Sequence, residues 1–336
     1  MKKEFRNLNV VFLNRLSEHW EPGIKKLESE FPNAAFIKNS NPDDRAKLLE
    51  TADVIVTGRI NEDEIRSAKK LKIIFVPFTG LNHFPLKLIK ERNILISNTH
   101  AQSKYVAEKA VALALALLGR VVEYHNGLKK GNWFRLFDED DTWQSIQGKT
   151  CGILGYGSIG KNIAKLLKAF ECRIIGFKKH IGSRNKSECR YADEITDNLS
   201  EVLDKSKIIF VCLPLNNETK GLLTGKDLIN LQGKYLINIA RGEIISENAL
   251  FSALKEGILA GAALDVWYNY PGKNQEGPVF PSNTPIYELP NVVISPHKSS
   301  NTADAINAMI DDTLENIRSY LLTGKTKNTV DKERYY

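Results

Sequence analysis

Apolar residues in this chain follow two rhythms that alternate along its length. Short unbroken apolar runs at Asn9–Leu13, Val54–Thr57, Ile73–Val76 and Ile94–Ile96 read as strands buried on both faces. Helical patterns lie between them, at Trp20–Phe31, which Pro32 closes, and at the shorter Leu86–Ile89. Strands alternating with helices predict a parallel sheet with crossover connections. The pattern then changes. Ala101–Leu118 predicts one long helix whose second half, Ala110–Leu118, is apolar all round. Such a helix is expected to be buried on every side, at a domain or subunit boundary. A second alternating series follows, with strands at Gly152–Leu154, Arg173–Phe177, Ile208–Leu213, Tyr235–Ile239, Gly261–Val266 and Val292–Ser295. Six strands with crossovers suit a complete doubly wound domain. A last helix over Ala303–Leu322 and a polar tail end the pattern, with no internal repeat and no low-complexity segment.

The second series opens on Cys151–Gly160, CGILGYGSIG. An apolar strand runs into Gly155-Tyr156-Gly157-Ser158-Ile159-Gly160, and a helical face of Ile163, Leu166, Leu167 and Phe170 follows at once. Strand, glycine turn and helix form the context that a dinucleotide fingerprint requires. Gly155 allows the tight turn, Gly157 lets backbone approach a pyrophosphate, and Gly160 lets helix pack on strand. The helix N-terminus offers free N–H groups to phosphate. The bare spacing is weak evidence, and the strand and helix around it give it weight.

Composition narrows the picture. The chain has 336 residues, enough for two domains, and 42% apolar with 26% charged residues is an ordinary globular balance. Its 47 Lys and Arg against 40 Asp and Glu give +7, spread rather than blocked, a bias toward small anions rather than nucleic acid. Cys151, Cys172, Cys189 and Cys212 show no CxxC spacing, which predicts reduced thiols in a cytoplasmic protein and no metal site. The apolar run Val10–Leu13 is too short for a signal peptide, and Ala110–Leu118 too short for a membrane span. Asp138-Glu139-Asp140-Asp141 reads as a solvated loop. The aromatic stretch Trp133–Phe137 beside it reads as an arm that packs on a partner subunit.

Four further stretches carry a resemblance. They are Val211-Cys212-Leu213-Pro214-Leu215, Asn238-Ile239-Ala240-Arg241-Gly242, Ala262-Ala263-Leu264-Asp265-Val266, and Leu289 to His297 ending in Pro296-His297. With the glycine turn, and with Phe78-Thr79-Gly80, Val106-Ala107-Glu108 and Gly131-Asn132-Trp133, their order and spacing resemble the D-isomer-specific 2-hydroxyacid dehydrogenases over nearly the whole chain. The resemblance implies an α/β protein of two doubly wound parallel-sheet domains. A Rossmann cofactor domain, residues 104–298, would be inserted in a flavodoxin-like substrate domain, residues 1–103 plus 299–336, with the active site in the cleft between them. It also implies a homodimer built around the long helix and arm. The expected activity is hydride transfer between NAD(P) and a small anionic 2-oxo or 2-hydroxy acid.

By the same resemblance, Arg241 is the catalytic arginine, able to hold a carboxylate bidentately and polarise a carbonyl. His297 is the general acid/base. The backbone N–H groups of Thr79 and Gly80 receive the substrate carboxylate, although Phe78 stands where the family usually has glycine. Asp265 meets the nicotinamide carboxamide. Leu213 and Pro214 line the adenine–ribose side, and Ala240 lies beside the cofactor with Gly155, Tyr156, Gly157, Ser158, Ile159 and Gly160. Each has an ordinary alternative, such as a surface arginine, a structural histidine or a turn-initiating aspartate.

Two departures bear on the chemistry. The family pairs its histidine with a glutamate, and here Tyr270 occupies that position in Asp265-Val266-Trp267-Tyr268-Asn269-Tyr270-Pro271. A tyrosine supplies no charge at neutral pH. Tyr270 orients His297, or Glu276 swings in, or the reaction needs no acid, as in formate dehydrogenases with a glutamine there. The remaining alternative is a dinucleotide-binding regulator with little or no turnover. The second departure follows Ile174–Phe177, where NAD-specific members place an acid ~20 residues beyond the fingerprint. Here Lys178-Lys179-His180 follow, and NADP is favoured over NAD.

Overall fold

The computed structural model describes residues 7–39, 42–134, 142–179, 189–272 and 275–331. The acidic run Asp138–Asp141, residues 135–137 of the aromatic arm, and His180 lie outside these. Two compact units result. One contains Met1–Gln102 and Asn301–Tyr336, and the other is the continuous segment Ser103–Ser300.

The first unit is a five-stranded parallel sheet of β1 (Asn9–Phe12), β2 (Ala35–Lys38), β3 (Val54–Val56), β4 (Ile73–Val76) and β5 (Leu95–Asn98). The spatial order is β2-β1-β3-β4-β5, with the reversal between β1 and β3. Strands β3 and β4 are buried along their whole length, as β-branched runs covered on both faces must be. One face packs on α1 (Trp20–Glu30) and the C-terminal α11 (Ala303–Thr323), through Ile24, Leu27, Ile310, Ile317 and Leu321. The other carries α2 (Arg45–Thr51), α3 (Glu62–Ser67) and α4 (Leu86–Glu91). A capping box of Asn61 and Glu64 starts α3, and the Thr302 hydroxyl caps α11 by accepting from the Ala305 N–H.

The second unit begins with α5 (Ser103–Leu118) and α6 (Val121–Leu128). Its sheet contains β6 (Thr150–Leu154), β7 (Arg173–Phe177), β8 (Glu194–Thr196), β9 (Ile208–Val211), β10 (Lys234–Asn238), β11 (Leu259–Leu264) and β12 (Val292–Ile294). All pairings are parallel, in the order β12-β11-β10-β9-β6-β7-β8. Helices α7 (Ser158–Leu167), α8 (Leu199–Lys205), α9 (Gly225–Ile229) and α10 (Glu247–Lys255) cover its faces.

The strand count needs correction. The sheet has seven strands, not six, because the polar, half-exposed edge strand Glu194–Thr196 carries no apolar run. Within the single chain helix α5 leaves one face open. Val106, Ala110, Leu113, Ala114 and Leu117 pack inward, while Lys104, Glu108, Ala112 and Leu115 form an exposed stripe in the single chain. Among the described residues no helix is long and apolar enough to cross a membrane.

Candidate active site

The glycine turn leaves β6 at the point where strand order reverses, between β6 and β9, the position at which open α/β sheets bind nucleotides. Gly155 has φ +97°, and a Cβ there would fall 2.8 Å from the Cys212 backbone. A Cβ on Gly160 would fall 2.5 Å from the Gly155 carbonyl oxygen. Gly157 differs: nothing lies within 4 Å of the place a Cβ would take. The two outer glycines are therefore required by the protein's own packing, and the middle one leaves room that the protein does not fill. The N–H groups of Gly155 and Tyr156 both donate to the Phe177 carbonyl at 3.1 Å, fixing the turn on the end of β7. The Tyr156 ring is buried against Gly176 and its hydroxyl donates to the Arg190 carbonyl at 2.6 Å, so this side chain shapes the turn from below. Donors for an anion then come from the first turn of α7, around Ser158 and Ile159, which has no side-chain cap. A pyrophosphate fits this cradle.

Beyond β7, Lys178 donates its N–H to the Thr196 carbonyl at 3.0 Å, and the Lys179 ammonium lies 3.2 Å from the Glu218 carboxylate. Both members of that ion pair are about half exposed, so the pair is weak. Leu213 is buried at the end of β9, and Pro214 beside it is exposed.

The turn after β10 is built by Asn238. Its amide accepts from the Ala240 N–H at 3.1 Å and donates to the Arg241 carbonyl at 3.0 Å. A Cβ on Gly242 would fall 2.5 Å from the Trp267 carbonyl oxygen, so only glycine lets this turn close on the next one. Asn-x-Ala-Arg-Gly thus fixes the turn that carries Arg241 at the carboxyl end of the sheet. The guanidinium donates to the Ala240 carbonyl at 2.6 Å. Burial lowers its pKa, opposed by the Tyr270 and Glu243 side chains.

His297 follows β12 and takes a left-handed backbone conformation, φ +56°, unusual for a residue with a side chain. The residue is exposed at the surface of the single chain. Even so, surrounding protein atoms strip water from its ring, and this, followed by the Arg241 charge, holds its pKa below the ordinary value, against an opposing pull from Asp265. Tyr270 meets His297 ring to ring, with centroids 5.5 Å apart and planes at 53°. Its hydroxyl accepts from the Trp267 N–H at 3.0 Å. Glu276 is exposed on its loop, with no bond to His297 among the described residues.

Asp265 is fully buried. Its carboxylate accepts from the Lys298 N–H at 3.0 Å, from the Ser299 N–H at 2.9 Å, and from the Ser299 hydroxyl. Sequence reasoning had not picked out Ser299, or the Trp267 indole N–H that donates to the Ser295 carbonyl at 2.9 Å. Neither type of residue carries a local pattern that would reveal such a contact.

On the first unit, the Thr79 loop is held by Asn98, whose amide donates to the Thr79 carbonyl at 2.9 Å, and by Gln102, which donates to the Thr79 hydroxyl at 2.7 Å. Among the described residues neither the Thr79 nor the Gly80 N–H donates to a protein acceptor. The Phe78 ring lies on Gly58, where a Cβ would meet it at 2.8 Å.

A glycine cradle and an open helix end at the reversal point of a seven-stranded parallel sheet define a dinucleotide-binding protein. Comparison with known proteins goes further. Residues 111–299 match the NAD-binding domain of the D-isomer-specific 2-hydroxyacid dehydrogenases. The glyoxylate reductase of Pyrococcus furiosus is 31% identical over 338 residues, covering 96% of this chain and 95% of that one. The D-3-phosphoglycerate dehydrogenase of Methanocaldococcus jannaschii is 30% identical over 319 residues, and the match spans 93% of this chain and 57% of that protein. Among solved structures, an acyclic imino acid reductase (Bsp5) in complex with NADPH and D-Arg superimposes with a TM-score of 0.77 at 25% identity, covering 96% of this chain and 100% of that one. The chain belongs to the D-isomer-specific 2-hydroxyacid dehydrogenase family, and its activity is that of an NAD(P)-dependent oxidoreductase acting on 2-hydroxy or 2-oxo acids.

Proposed function

We propose that the protein is a reductase of short 2-oxo acids that prefers NADPH. One observation carries the reading. The turns after β10 and β12 present Arg241 and His297 at the same carboxyl end of the sheet as the glycine cradle, close enough for the Arg241 charge to bear on the histidine. A bound nicotinamide supplies the hydride. Arg241 holds the substrate carboxylate and polarises the reacting carbonyl. His297, as imidazolium, donates the proton that the new hydroxyl requires. By the family resemblance Thr79 and Gly80 are substrate-binding through their N–H groups, so residues 1–103 with 299–336 are assigned to substrate and 104–298 to the nucleotide. Asp265 serves the cofactor carboxamide only with the lone pairs that the Lys298 and Ser299 donors leave.

The NADPH preference rests on Lys178 and Lys179 at the end of β7, where a carboxylate would repel a 2′-phosphate. A phosphate dianion competes well against the exposed Glu218 partner of Lys179. The exposed apolar residues Leu115, Val121, Val122, Leu128 and Trp133 support a homodimer, whose sedimentation mass would be twice 37.8 kDa.

A second reading follows from Tyr270. An iminium substrate arrives already protonated, so hydride transfer to it asks nothing of an imidazolium, and a relative that reduces imino acids has been solved with NADPH. One assay tests both readings. NADPH and NADH oxidation is followed with glyoxylate and longer 2-oxo acids, each with and without an amine, with Arg241→Ala as control. The expected outcome is turnover without amine, a lower KM for NADPH, and a loss of about 10²–10³ in Arg241→Ala. A marked NADH preference rejects the cofactor assignment, turnover only with amine selects the second reading, and an active Arg241→Ala rejects the site.

A further inference from the structure

The imidazole of His297 lacks the carboxylate that would orient it, so something else must hold it. The structure shows two clamps on the turn that carries it, one on each side. Before the histidine, the indole N–H of Trp267 donates to the Ser295 carbonyl at 2.9 Å, and Trp267 is itself buried. After it, the fully buried Asp265 carboxylate takes the N–H groups of Lys298 and Ser299 at 3.0 and 2.9 Å and the Ser299 hydroxyl. Between the clamps His297 sits at φ +56°, a conformation that persists only where its surroundings over-determine it. The Tyr270 hydroxyl accepts from the backbone N–H of Trp267, the same residue whose indole makes the first clamp, and the Tyr270 ring meets the imidazole at a tilt of 53°.

We propose that Trp267 and Ser299 are positioning residues for the reaction, aiming His297 through its backbone in place of a side-chain carboxylate. The proposal rests on the assignment of His297 as the proton donor. Trp267 fixes the entry to the turn. Ser299 fixes the exit, since its hydroxyl and N–H share one Asp265 oxygen and leave that carboxylate a single orientation. A charge partner pulls on the ring nitrogen and changes its titration. A backbone clamp fixes where the ring stands and leaves its titration to burial and neighbours. A catalytic group displaced by about 1 Å loses on the order of 10²-fold in rate, which is the scale at which such a clamp matters.

The test uses the full chain with NADPH and its best 2-oxo acid. Ser299→Ala removes only a hydroxyl. Trp267→Phe keeps the ring and removes the indole N–H. His297→Ala is made in parallel, and NADPH dissociation constants are measured for all three. Expected is a fall in kcat of about tenfold or more in Ser299→Ala and in Trp267→Phe, with KM and NADPH affinity unchanged within about twofold. A structural role alone would not produce this split. Wild-type kcat in Ser299→Ala, with His297→Ala inactive, overturns the proposal. An active His297→Ala instead removes the reading of His297 as the donor. Equal losses in kcat and NADPH affinity assign the clamps to the nucleotide site and also overturn it.

Discussion

A histidine that donates a proton near neutral pH needs an environment that favours the charged ring. His297 has the opposite. Packed protein atoms strip water from it and Arg241 adds positive charge beside it, with Asp265 the opposing influence, so its pKa lies below the ordinary 6.5. Reduction consumes the imidazolium and oxidation uses the neutral ring. The reductive kcat/KM therefore falls as pH rises through a value below 6.5, and the oxidative rate rises through the same value. Tyr270→Glu places a carboxylate where the Tyr270 ring now meets the imidazole, and an opposite charge raises a histidine pKa. The reductive limb is expected to move to higher pH by about one unit, giving roughly tenfold faster reduction at neutral pH. Paired pH–rate profiles in both directions check this. A limb that stays in place means the new carboxylate does not reach the ring.

The glycine turn separates fold from function within one element. Gly160 packs α7 on its own turn, and a Cβ there would collide with backbone, which cannot yield as a flexible side chain can. Gly157 faces open space. Gly160→Ala is thus expected to lower the melting temperature of the nucleotide unit along with NADPH binding. Gly157→Ala should leave melting within about a degree and weaken NADPH by tenfold or more, since the added methyl occupies the approach to the pyrophosphate. Calorimetry and NADPH titration on both variants decide it, and equal melting losses would contradict the distinction. The element was legible in sequence because its strand, turn and helix are contiguous. Arg241 was legible for the same reason: Asn238 and Gly242, which build and clear its turn, lie within four positions of each other. The contacts of Trp267 with Ser295 and of Asp265 with Ser299 were not, because they join two strand ends 28 and 34 residues apart. The edge strand Glu194–Thr196 escaped for a different reason. A half-exposed strand has no need of an apolar run.

At the level of the whole molecule, one unit is a single stretch of chain and the other is closed by both ends. The two alternating series and the long helix divide the chain along its length, but the expectation of this plan, an inserted domain, rests on the family resemblance; the exposed stripe on that helix was not legible, because an apolar sequence does not say which of its faces another surface covers. The plan has an energetic consequence. Helix α11 completes the first unit's core with Ile310, Leu314, Ile317, Tyr320 and Leu321, and Tyr320 meets Phe75 of β4 edge to face at 6.1 Å. Burying a large apolar side chain contributes about 1.5–3 kcal/mol. Five of them contribute roughly 8–15 kcal/mol, as much as the whole stability of a typical domain at about 5–15 kcal/mol. Ending the chain at Ser300 should therefore unfold the first unit and leave the second, whose core draws nothing from α11. The full chain is expected to show two calorimetric transitions, and residues 1–300 a single one that shifts upward with NADPH. Turnover should vanish in the shortened chain while NADPH affinity survives. If the shortened chain instead kept both transitions, the burial along α11 would be contributing far less than its area implies.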